Sequence, residues 1–288
     1  MRGYIDIVEK VLRNGGVKKN RTGTDALSFS GLLFEHDMAA GFPLLTTKRI
    51  PFRLVASELE FFIKGITDKG WLQRENNHIW NEWCSPDRTP YGTDRASLRR
   101  MADERDLGPI YGWQWRHFGA EYAGCEGDPV KGGVDQMRGV VERLKQNPDD
   151  RRLIVSAWNP VDLHRMALPP CHYAFQLTVT GGNLNLMWNQ RSVDVALGLP
   201  FNIASYGILL HLLAKEASLG EGRLVGFLGD THIYVNHLDA LREQIRREPR
   251  PLPRIATPQF TSVFDWRYTD SAVENYDPHP ALRFEIAV

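Results

Sequence analysis

The sequence is poor in cysteine and has no excess of charge of either sign. Only Cys84, Cys125 and Cys171 occur among 288 residues. Three widely spaced thiols match neither a disulfide framework nor a zinc-ligand pattern, and they fit a reducing, cytoplasmic environment best. Lysine and arginine together number 35, as do aspartate and glutamate. We therefore expect no general attraction for nucleic acids or membranes, and an anionic ligand needs a few placed cations.

Long apolar runs, internal repeats and low-complexity tracts are also missing. No uninterrupted apolar segment approaches the roughly 20 residues of a membrane span. Residues 1–16 lack the apolar core of a signal peptide, so we expect no secretory leader. The sequence is 42% hydrophobic, which is enough for a full core. Because no linker divides the chain, we predict one domain over residues 1–288, with the polar segment 85–106 as a surface insertion.

Hydrophobic periodicity predicts both helices and strands. Apolar residues at helical spacing predict helices over about 4–13, 53–64, 135–146 and 203–219. Strands are predicted near 26–34 and 153–158, and a hairpin over 175–188 with a turn at Gly181-Gly182-Asn183. The predicted fold class is α+β, with a mixed or mostly antiparallel sheet flanked by helices.

Cys171 is a candidate nucleophile, although a buried core cysteine is the commoner alternative. Pro169 and Pro170 stiffen the chain just before it, and a predicted strand follows it. Arg191 directly follows an apolar strand, and a guanidinium near a thiol lowers the pKa of that thiol. The alternative for Arg191 is a salt bridge with Asp194.

Glu58 lies on the same helix face as Leu54 and Phe62. A carboxyl group on an apolar stripe either has a partner or carries a raised pKa suited to proton transfer. The alternative is a residue at the helix edge that reaches water. Arg151 and Arg152 can hold a phosphate by bidentate hydrogen bonds, or they form a solvated charge cluster.

Three further segments carry polar groups suited to a nucleotide. His232 and Tyr234 lie two apart on a predicted strand and therefore face one side, where they suit a sugar hydroxyl or form a structural pair. Asn202 either caps a helix or reads one edge of a base with its amide. The loop around Arg21 is a weak phosphate-binding pattern.

Longer motifs resemble those of folate-dependent thymidylate synthases and occur in the same order. They are Arg21-Thr-Gly-Thr24, Leu107-Gly-Pro-Ile-Tyr-Gly112, Asp150-Arg-Arg152, Pro169-Pro-Cys-His172, Gln190-Arg-Ser192, Gly198-Leu-Pro-Phe-Asn-Ile-Ala-Ser-Tyr206, Gly229-Asp-Thr-His-Ile-Tyr234 and Tyr276-Asp-Pro-His-Pro280. The resemblance extends from Ile5 to Val288. It implies a thymidylate synthase-like fold in which one sheet face forms the interface of a homodimer.

The resemblance also implies roles for individual residues, with Cys171 as the nucleophile that adds to C6 of dUMP. The implied catalytic set is Cys171, Glu58, Arg191, Tyr111, His172 and Asn202. The implied nucleotide ligands are Arg21, Arg151, Arg152, Gln190, Arg191, Ser192, Asp194, Asn202, His232 and Tyr234. Among them, Arg151 and Arg152 reach across the interface to the partner's nucleotide. The implied folate ligands are Trp80, Trp83, Asp194 and Ala287, with the tail 286–288 closing over the folate, and no metal ion is implied.

The implied reaction is reductive methylation of dUMP to dTMP, with 5,10-methylenetetrahydrofolate as the donor of both the one-carbon unit and the hydride. Trp188 and Asn189 stand where a leucine and a tyrosine are usual, Asn81 stands where an aspartate is usual, and Pro51-Phe52 replaces a position that often contacts folate in the family. These departures leave open a hydroxymethylase, in which water replaces hydride in the last step. Asn202 argues against a cytosine substrate, because cytosine-specific relatives carry an aspartate there. The ending Ala287-Val288 favours methylation, and the joint presence of the catalytic set argues against an inactive nucleotide-binding relative.

Overall fold

A computed structural model describes residues 1–19, 23–127 and 132–285 of the protein. The predicted site residues Arg21 and Ala287, and the tail 286–288, lie outside these residues. The helices are α1 Arg2–Asn14, α2 Phe52–Ile63, α3 Lys69–Arg74, α4 Arg95–Asp103, α5 Tyr111–His117, α6 Gln136–Gln146, α7 Gly198–Glu216 and α8 Leu238–Arg246. The strands are β1 Gly16–Lys18, β2 Ala26–Asp37, β3 Ile154–Ser156, β4 His172–Thr180, β5 Asn183–Asp194, β6 Gly220–Tyr234, β7 Arg254–Ala256 and β8 Ala272–Glu274.

Six strands form one mixed sheet in the order β1-β2-β6-β5-β4-β3. Neighbouring strands are antiparallel except β5 and β6, which run parallel because α7 connects them as a crossover. Strands β7 and β8 form a separate antiparallel pair. This mixed sheet with its helices confirms the predicted α+β class.

The two faces of the six-stranded sheet differ in burial. Register partners share a face, so one row runs across five strands on the inner face. That row is Phe34, Gly226, Trp188, Phe175 and Val155. Its aromatic side chains are buried in the main hydrophobic core. On the outer face, Leu33 and its cross-strand partner Phe227 are each 47% exposed, and Ile154 on the same face is 48% exposed.

Helix α7 begins five residues earlier than the periodicity predicts. Leu197 occupies the N-cap position, and Pro200 lies in the first turn. Proline is tolerated there because the first-turn N–H groups have no partner within the helix. Asn202 therefore lies inside α7, and its interpretation as an N-cap is wrong. The other predicted helices agree with α1, α2 and α6 to within two residues.

The predicted hairpin is present as β4 and β5, whose end residues Thr180 and Asn183 are paired. Gly181 and Gly182 connect them with φ angles of 57° and 79°, which glycine adopts without strain. Segment 85–106 contains the one short helix that its sequence predicts, α4. The backbone N–H of Ser85 donates to the carbonyl of Asp106 at 2.7 Å, so the ends of the segment are joined.

Among residues 1–19, 23–127 and 132–285, none of the helices has both the length and the apolar character needed to cross a membrane. The same ranges contain no group of three or more histidine, cysteine, aspartate or glutamate side chains arranged to hold a metal ion.

Candidate active site

Cys171 is a half-buried thiol at the entry to β4, immediately after the two prolines. Its backbone N–H donates to the hydroxyl of Tyr111 at 2.7 Å. Its carbonyl accepts the backbone N–H of Arg191 at 2.8 Å. The thiol position is therefore held between the start of α5 and the end of β5.

Arg191 is exposed near the end of β5 and turns its guanidinium toward the chain that precedes Cys171. Its Nε donates to the carbonyl of Pro170 at 2.9 Å, and its Nη2 donates to the carbonyl of Pro169 at 2.7 Å. The guanidinium carbon lies 5.5 Å from the ring centre of Trp158. These contacts place a fixed cation beside the segment that carries the thiol.

Ser192 and Asp194 end β5 in register with Asp230 and His232 of β6. The carboxylate of Asp194 accepts the backbone N–H groups of Ala196–Leu197 at 2.9 and 3.2 Å. It thereby steadies the entry into α7. Because Asp194 and Arg191 bind backbone groups instead of each other, the predicted salt-bridge alternative is wrong.

The half-buried Glu58 and the buried residues Trp80, Tyr111 and His172 form a continuous group that we call the buried wall. The indole N–H of Trp80 donates to the Glu58 carboxylate at 2.8 Å. The Trp80 and Tyr111 rings meet edge to face with centroids 6.2 Å apart, and the Tyr111 and His172 centroids are 4.4 Å apart. The wall therefore connects Glu58 with the residue that follows Cys171.

Burial sets the protonation of the buried wall. It raises the pKa of Glu58 to about 7, although the hydrogen bond from Trp80 opposes this shift. It lowers the pKa of His172 to about 3 and raises the pKa of Tyr111 well above its usual value. Near neutral pH the carboxyl group of Glu58 is thus about half protonated, while the imidazole of His172 and the phenol of Tyr111 are neutral. Such a carboxyl group can both accept and donate a proton.

A second set of contacts leads from His172 to Asn202. The His172 Nδ1 lies 3.0 Å from the hydroxyl of Tyr206, whose ring stacks on Trp188 at 5.3 Å with an 11° interplanar angle. The indole N–H of Trp188 donates to Gln190 Oε1 at 3.0 Å, and Gln190 Nε2 donates to Asn202 Oδ1 at 2.9 Å. The structure thus brings the predicted Gln190 and Asn202 together with the predicted His172.

His232 and Tyr234 face the same side of β6, as their spacing predicts. Both are half-buried, and they alternate with the buried residues Thr231 and Ile233. Their rings meet edge to face with centroids 5.2 Å apart. His232 Nδ1 also lies 3.1 Å from the backbone carbonyl oxygen of Asp230. The pair lies on the strand next to the one that carries Arg191 and Asp194.

Arg151 and Arg152, which we call the distal arginines, are not brought to the thiol of their own chain. They precede β3, whose residue Ile154 is in register with Gln176 of β4. Continuing that register places Arg152 roughly 20 Å along β4 from Cys171. The Arg152 side chain is 82% exposed and donates to Asp150 at 2.9 Å.

Trp83 is half-buried and meets Trp80 edge to face, with ring centroids 5.9 Å apart. A buried lysine, Lys69, holds the turn that carries both rings. Its ammonium group donates to the carbonyls of Asn81, Trp83 and Met101 at 3.2, 2.8 and 2.5 Å. Burial lowers the pKa of Lys69 to about 8. The insertion helix α4, which contains Met101, is thereby joined to the two tryptophans.

Sequence reasoning missed Lys48, a second buried lysine near the site. Its ammonium group donates to the carbonyl of Ala196 at 2.5 Å and lies 4.3 Å from the ring centre of Phe284. Burial lowers the pKa of Lys48 to about 8, while the charge of Asp194 opposes that shift. A single cation in the otherwise apolar and hydroxyl-bearing stretch 42–48 is a signal that identifies it.

Comparisons with known proteins agree along the whole chain. The sequence model of the family described as thymidylate synthase matches residues 2–288. A similar curated protein is the bifunctional dihydrofolate reductase-thymidylate synthase of Paramecium tetraurelia, which is 45% identical over 285 residues. The alignment covers 99% of this chain and 61% of that protein, so the chain spans less than two thirds of the relative's length.

Proposed function

Because the chain belongs to the thymidylate synthase family, we propose that it catalyses the reductive methylation of dUMP to dTMP with 5,10-methylenetetrahydrofolate. The observation that carries this proposal is the set of contacts joining Cys171 to Glu58 through Tyr111 and Trp80. It supplies a nucleophile and a proton-transfer group on adjoining elements. Replacing the hydrogen at C5 of a pyrimidine requires both.

Cys171 acts as the nucleophile in this proposal. Uracil C5 is a poor nucleophile, but addition of a thiolate at C6 makes C5 enolate-like. Glu58, with a pKa of about 7, then exchanges protons with the base in both directions near neutral pH. His172 and Tyr111 stay neutral and orient the base by hydrogen bonding without adding charge.

Arg191 is suited to bind the nucleotide phosphate with Ser192 and Arg21. A guanidinium has five N–H donors, and in Arg191 two nitrogens already donate to the prolyl carbonyls. Its exposed edge keeps donors for a phosphate, and charge-assisted bonds of this kind are strong. A phosphate held there also places the base beside Cys171.

We further propose a homodimer that buries the outer face of the sheet. Leu33, Phe227 and Ile154 expose about half of their side chains on that face, where a second copy would cover them. Such a dimer gives the distal arginines a ligand, because they lie too far from their own Cys171. Each pair would bind the phosphate of the nucleotide in the partner subunit.

The remaining nucleotide contacts follow from the geometry of β5, β6 and α7. His232 and Tyr234 project from one side of β6 and suit the 3′-hydroxyl of the deoxyribose. Asn202, with Gln190 behind it, reads the edge of the base. All four are polar side chains on adjoining elements, which lets one nucleotide contact them together.

Side chains in and beside the buried wall are suited to bind the folate. Trp80 and Trp83 offer aromatic surface for a flat ring, and Asp194 offers carboxylate oxygen to pterin N–H groups. When bound, the folate supplies the one-carbon unit and the hydride. The contribution of Ala287 stays a prediction, as do the single catalytic domain over 1–288 with its insertion at 85–106 and the cytoplasmic location.

The departures from the usual family pattern at Trp188, Asn189 and Asn81 give little support to a hydroxymethylase. Trp188 lies in the core against Tyr206, and Asn189 faces the outer side of the sheet. Asn81 accepts a hydrogen bond from Gln73 at 2.9 Å. The curated relative is also named a thymidylate synthase. Methylation is therefore the favoured reaction.

The test is a product analysis with purified protein, dUMP and methylenetetrahydrofolate. We expect dTMP and dihydrofolate in equal amounts, and no product from the Cys171→Ala variant. Hydroxymethyl-dUMP with tetrahydrofolate would identify the hydroxymethylase instead. The absence of both products from a folded, dUMP-binding protein would contradict the proposal.

A further inference from the structure

The amide of Asn202 does not by itself distinguish uracil from cytosine. An amide has a donor on one side and an acceptor on the other, and a half-turn exchanges them. With its NH2 toward the base it matches the 4-carbonyl of uracil, and with its oxygen toward the base it matches the 4-amino group of cytosine. A selective site must therefore hold this amide in one orientation.

The oxygen and the nitrogen of the Gln190 amide each bond to a group that can act in only one way, as a donor or as an acceptor. The indole of Trp188 can only donate, so the atom 3.0 Å from it must be the oxygen of Gln190. The carbonyl of Ser192 can only accept, so the atom 3.1 Å from it must be the nitrogen. Gln190 is only 3% exposed, which leaves water little access to replace either contact.

The orientation of the Gln190 amide determines the orientation of the Asn202 amide. Because Gln190 turns its NH2 toward Asn202, the atom of Asn202 that lies 2.9 Å away must be its oxygen. The NH2 of Asn202 then points away from Gln190. We propose that Trp188 is a positioning residue that selects uracil over cytosine by fixing the amides of Gln190 and Asn202. This inference rests on the proposed function, because it assigns a selectivity device to the same nucleotide site.

The direction of the Trp188 N–H is fixed by the space around the indole. Trp188 is fully buried, with Tyr206 stacked on it and the ring of Phe34 at 5.7 Å. Its register partner on β6 is Gly226. A Cβ at position 226 would lie 2.3 Å from the indole, so the ring occupies space that only glycine leaves open.

The test compares dUMP with dCMP in the full-length Trp188→Phe variant. Phenylalanine keeps an aromatic ring against Tyr206 but removes the N–H, leaving the oxygen of Gln190 buried without its donor. We expect the ratio of kcat/KM for dUMP to that for dCMP to fall by about tenfold, mainly through a higher KM for dUMP. The ratio of the association constants for dUMP and dCMP, measured by calorimetry without folate, should fall in parallel.

Two further variants distinguish the effect of losing the Trp188 N–H from the effect of disturbing the packing around it. Incorporating β-(3-benzothienyl)alanine at position 188 keeps the bicyclic shape and replaces only the N–H, so it should reproduce the loss if phenylalanine prevents folding. Phe34→Leu disturbs the same cluster and leaves the N–H in place, so it should lower stability with an unchanged ratio.

A folded benzothienyl or phenylalanine variant with the wild-type ratio would overturn the inference, as would an equal loss of selectivity in Phe34→Leu. The two proposals fail separately. Wild-type protein that binds dUMP without making dTMP would contradict the proposed reaction, while the binding ratios would still test the role of Trp188.

Discussion

The buried wall and the distal arginines are built in opposite ways. Each member of the wall contacts another member of the same chain, and burial shifts the pKa values of Glu58, Tyr111 and His172. Arg152, in contrast, is 82% exposed, and it forms an ion pair with Asp150, two residues away. One chain can thus assemble its proton-transfer groups alone, whereas in our proposal the distal arginines act on the nucleotide of a second copy. Changes in the two regions should therefore have different kinetic signatures.

The largest effect should come from removing the nucleophile beside the wall. We expect Cys171→Ala to lower turnover by at least about 10³-fold, because no other group supplies the covalent step. Binding of dUMP, measured by calorimetry, should stay within a few-fold of wild type, since the phosphate contacts are untouched. Cys125→Ala is the matched control and should keep full activity.

The next largest effect concerns the distal arginines. We expect the double variant Arg151→Ala/Arg152→Ala to raise the KM for dUMP by roughly 10–100-fold through the loss of charge-assisted bonds. At dUMP concentrations below the wild-type KM, where the double variant has little activity, co-expression with Cys171→Ala should restore about a quarter of wild-type activity, because half of randomly formed dimers then contain one intact site. Exposed Arg99→Ala serves as the control. If the mixture stays as inactive as its components, the arginines do not act across an interface.

A third effect tests the electrostatics of the wall. A pKa of about 7 for Glu58 in the folded protein lies above the usual value of 4.5. The neutral carboxyl group therefore favours folding fully below about pH 4.5, and this contribution is lost as the pH rises from there through 7. Glu58→Gln, which stays neutral, should gain stability over wild type with rising pH, reaching about 3 kcal/mol above pH 8. Urea unfolding at pH 5 and pH 8.5 measures the difference, and exposed Glu142→Gln should show none.

The smallest effect concerns the hydroxyl group that joins the wall to the thiol segment. Tyr111→Phe leaves the N–H of Cys171 without its 2.7 Å acceptor. We expect a loss of about 1–2 kcal/mol in the free energy of unfolding and a fall in kcat of up to tenfold. Tyr122→Phe removes a buried hydroxyl bonded to Thr67 at 2.9 Å and should lower stability without changing kcat. Equal effects of both variants on kcat would contradict a specific contribution of the Tyr111 hydroxyl to catalysis.

The parts of the fold that depend on local pattern could be predicted from the sequence. The helices α1, α2 and α6 follow apolar spacing, and the β4–β5 hairpin follows alternation around two glycines. The raised pKa of Glu58 also follows from a carboxyl group on an apolar helix face. The early start of α7 was missed because Pro200 looks like a helix breaker, although the first turn accepts it.

Contacts between distant segments could not be predicted in the same way. The parallel pairing of β5 with β6 joins two separate strands, and the hydrophobic periodicity within each strand does not predict which strand it pairs with. Nor does local sequence show that Arg191 donates to prolyl carbonyls instead of pairing with Asp194. The carbonyl groups that bind Lys69 and Lys48 come from distant segments, and only folding brings them around the two ammonium groups.

The fit of Trp188 over Gly226 makes the tolerance of one position depend on the residue at the other. A Cβ at position 226 would lie 2.3 Å from the indole, so Gly226→Ala overpacks the core while the tryptophan is present. Such overpacking commonly costs about 1–3 kcal/mol. A smaller residue at 188 would leave room for that methyl group, so the same substitution should be less harmful in a Trp188→Leu background. Any redesign of this part of the sheet therefore has to change the two positions together.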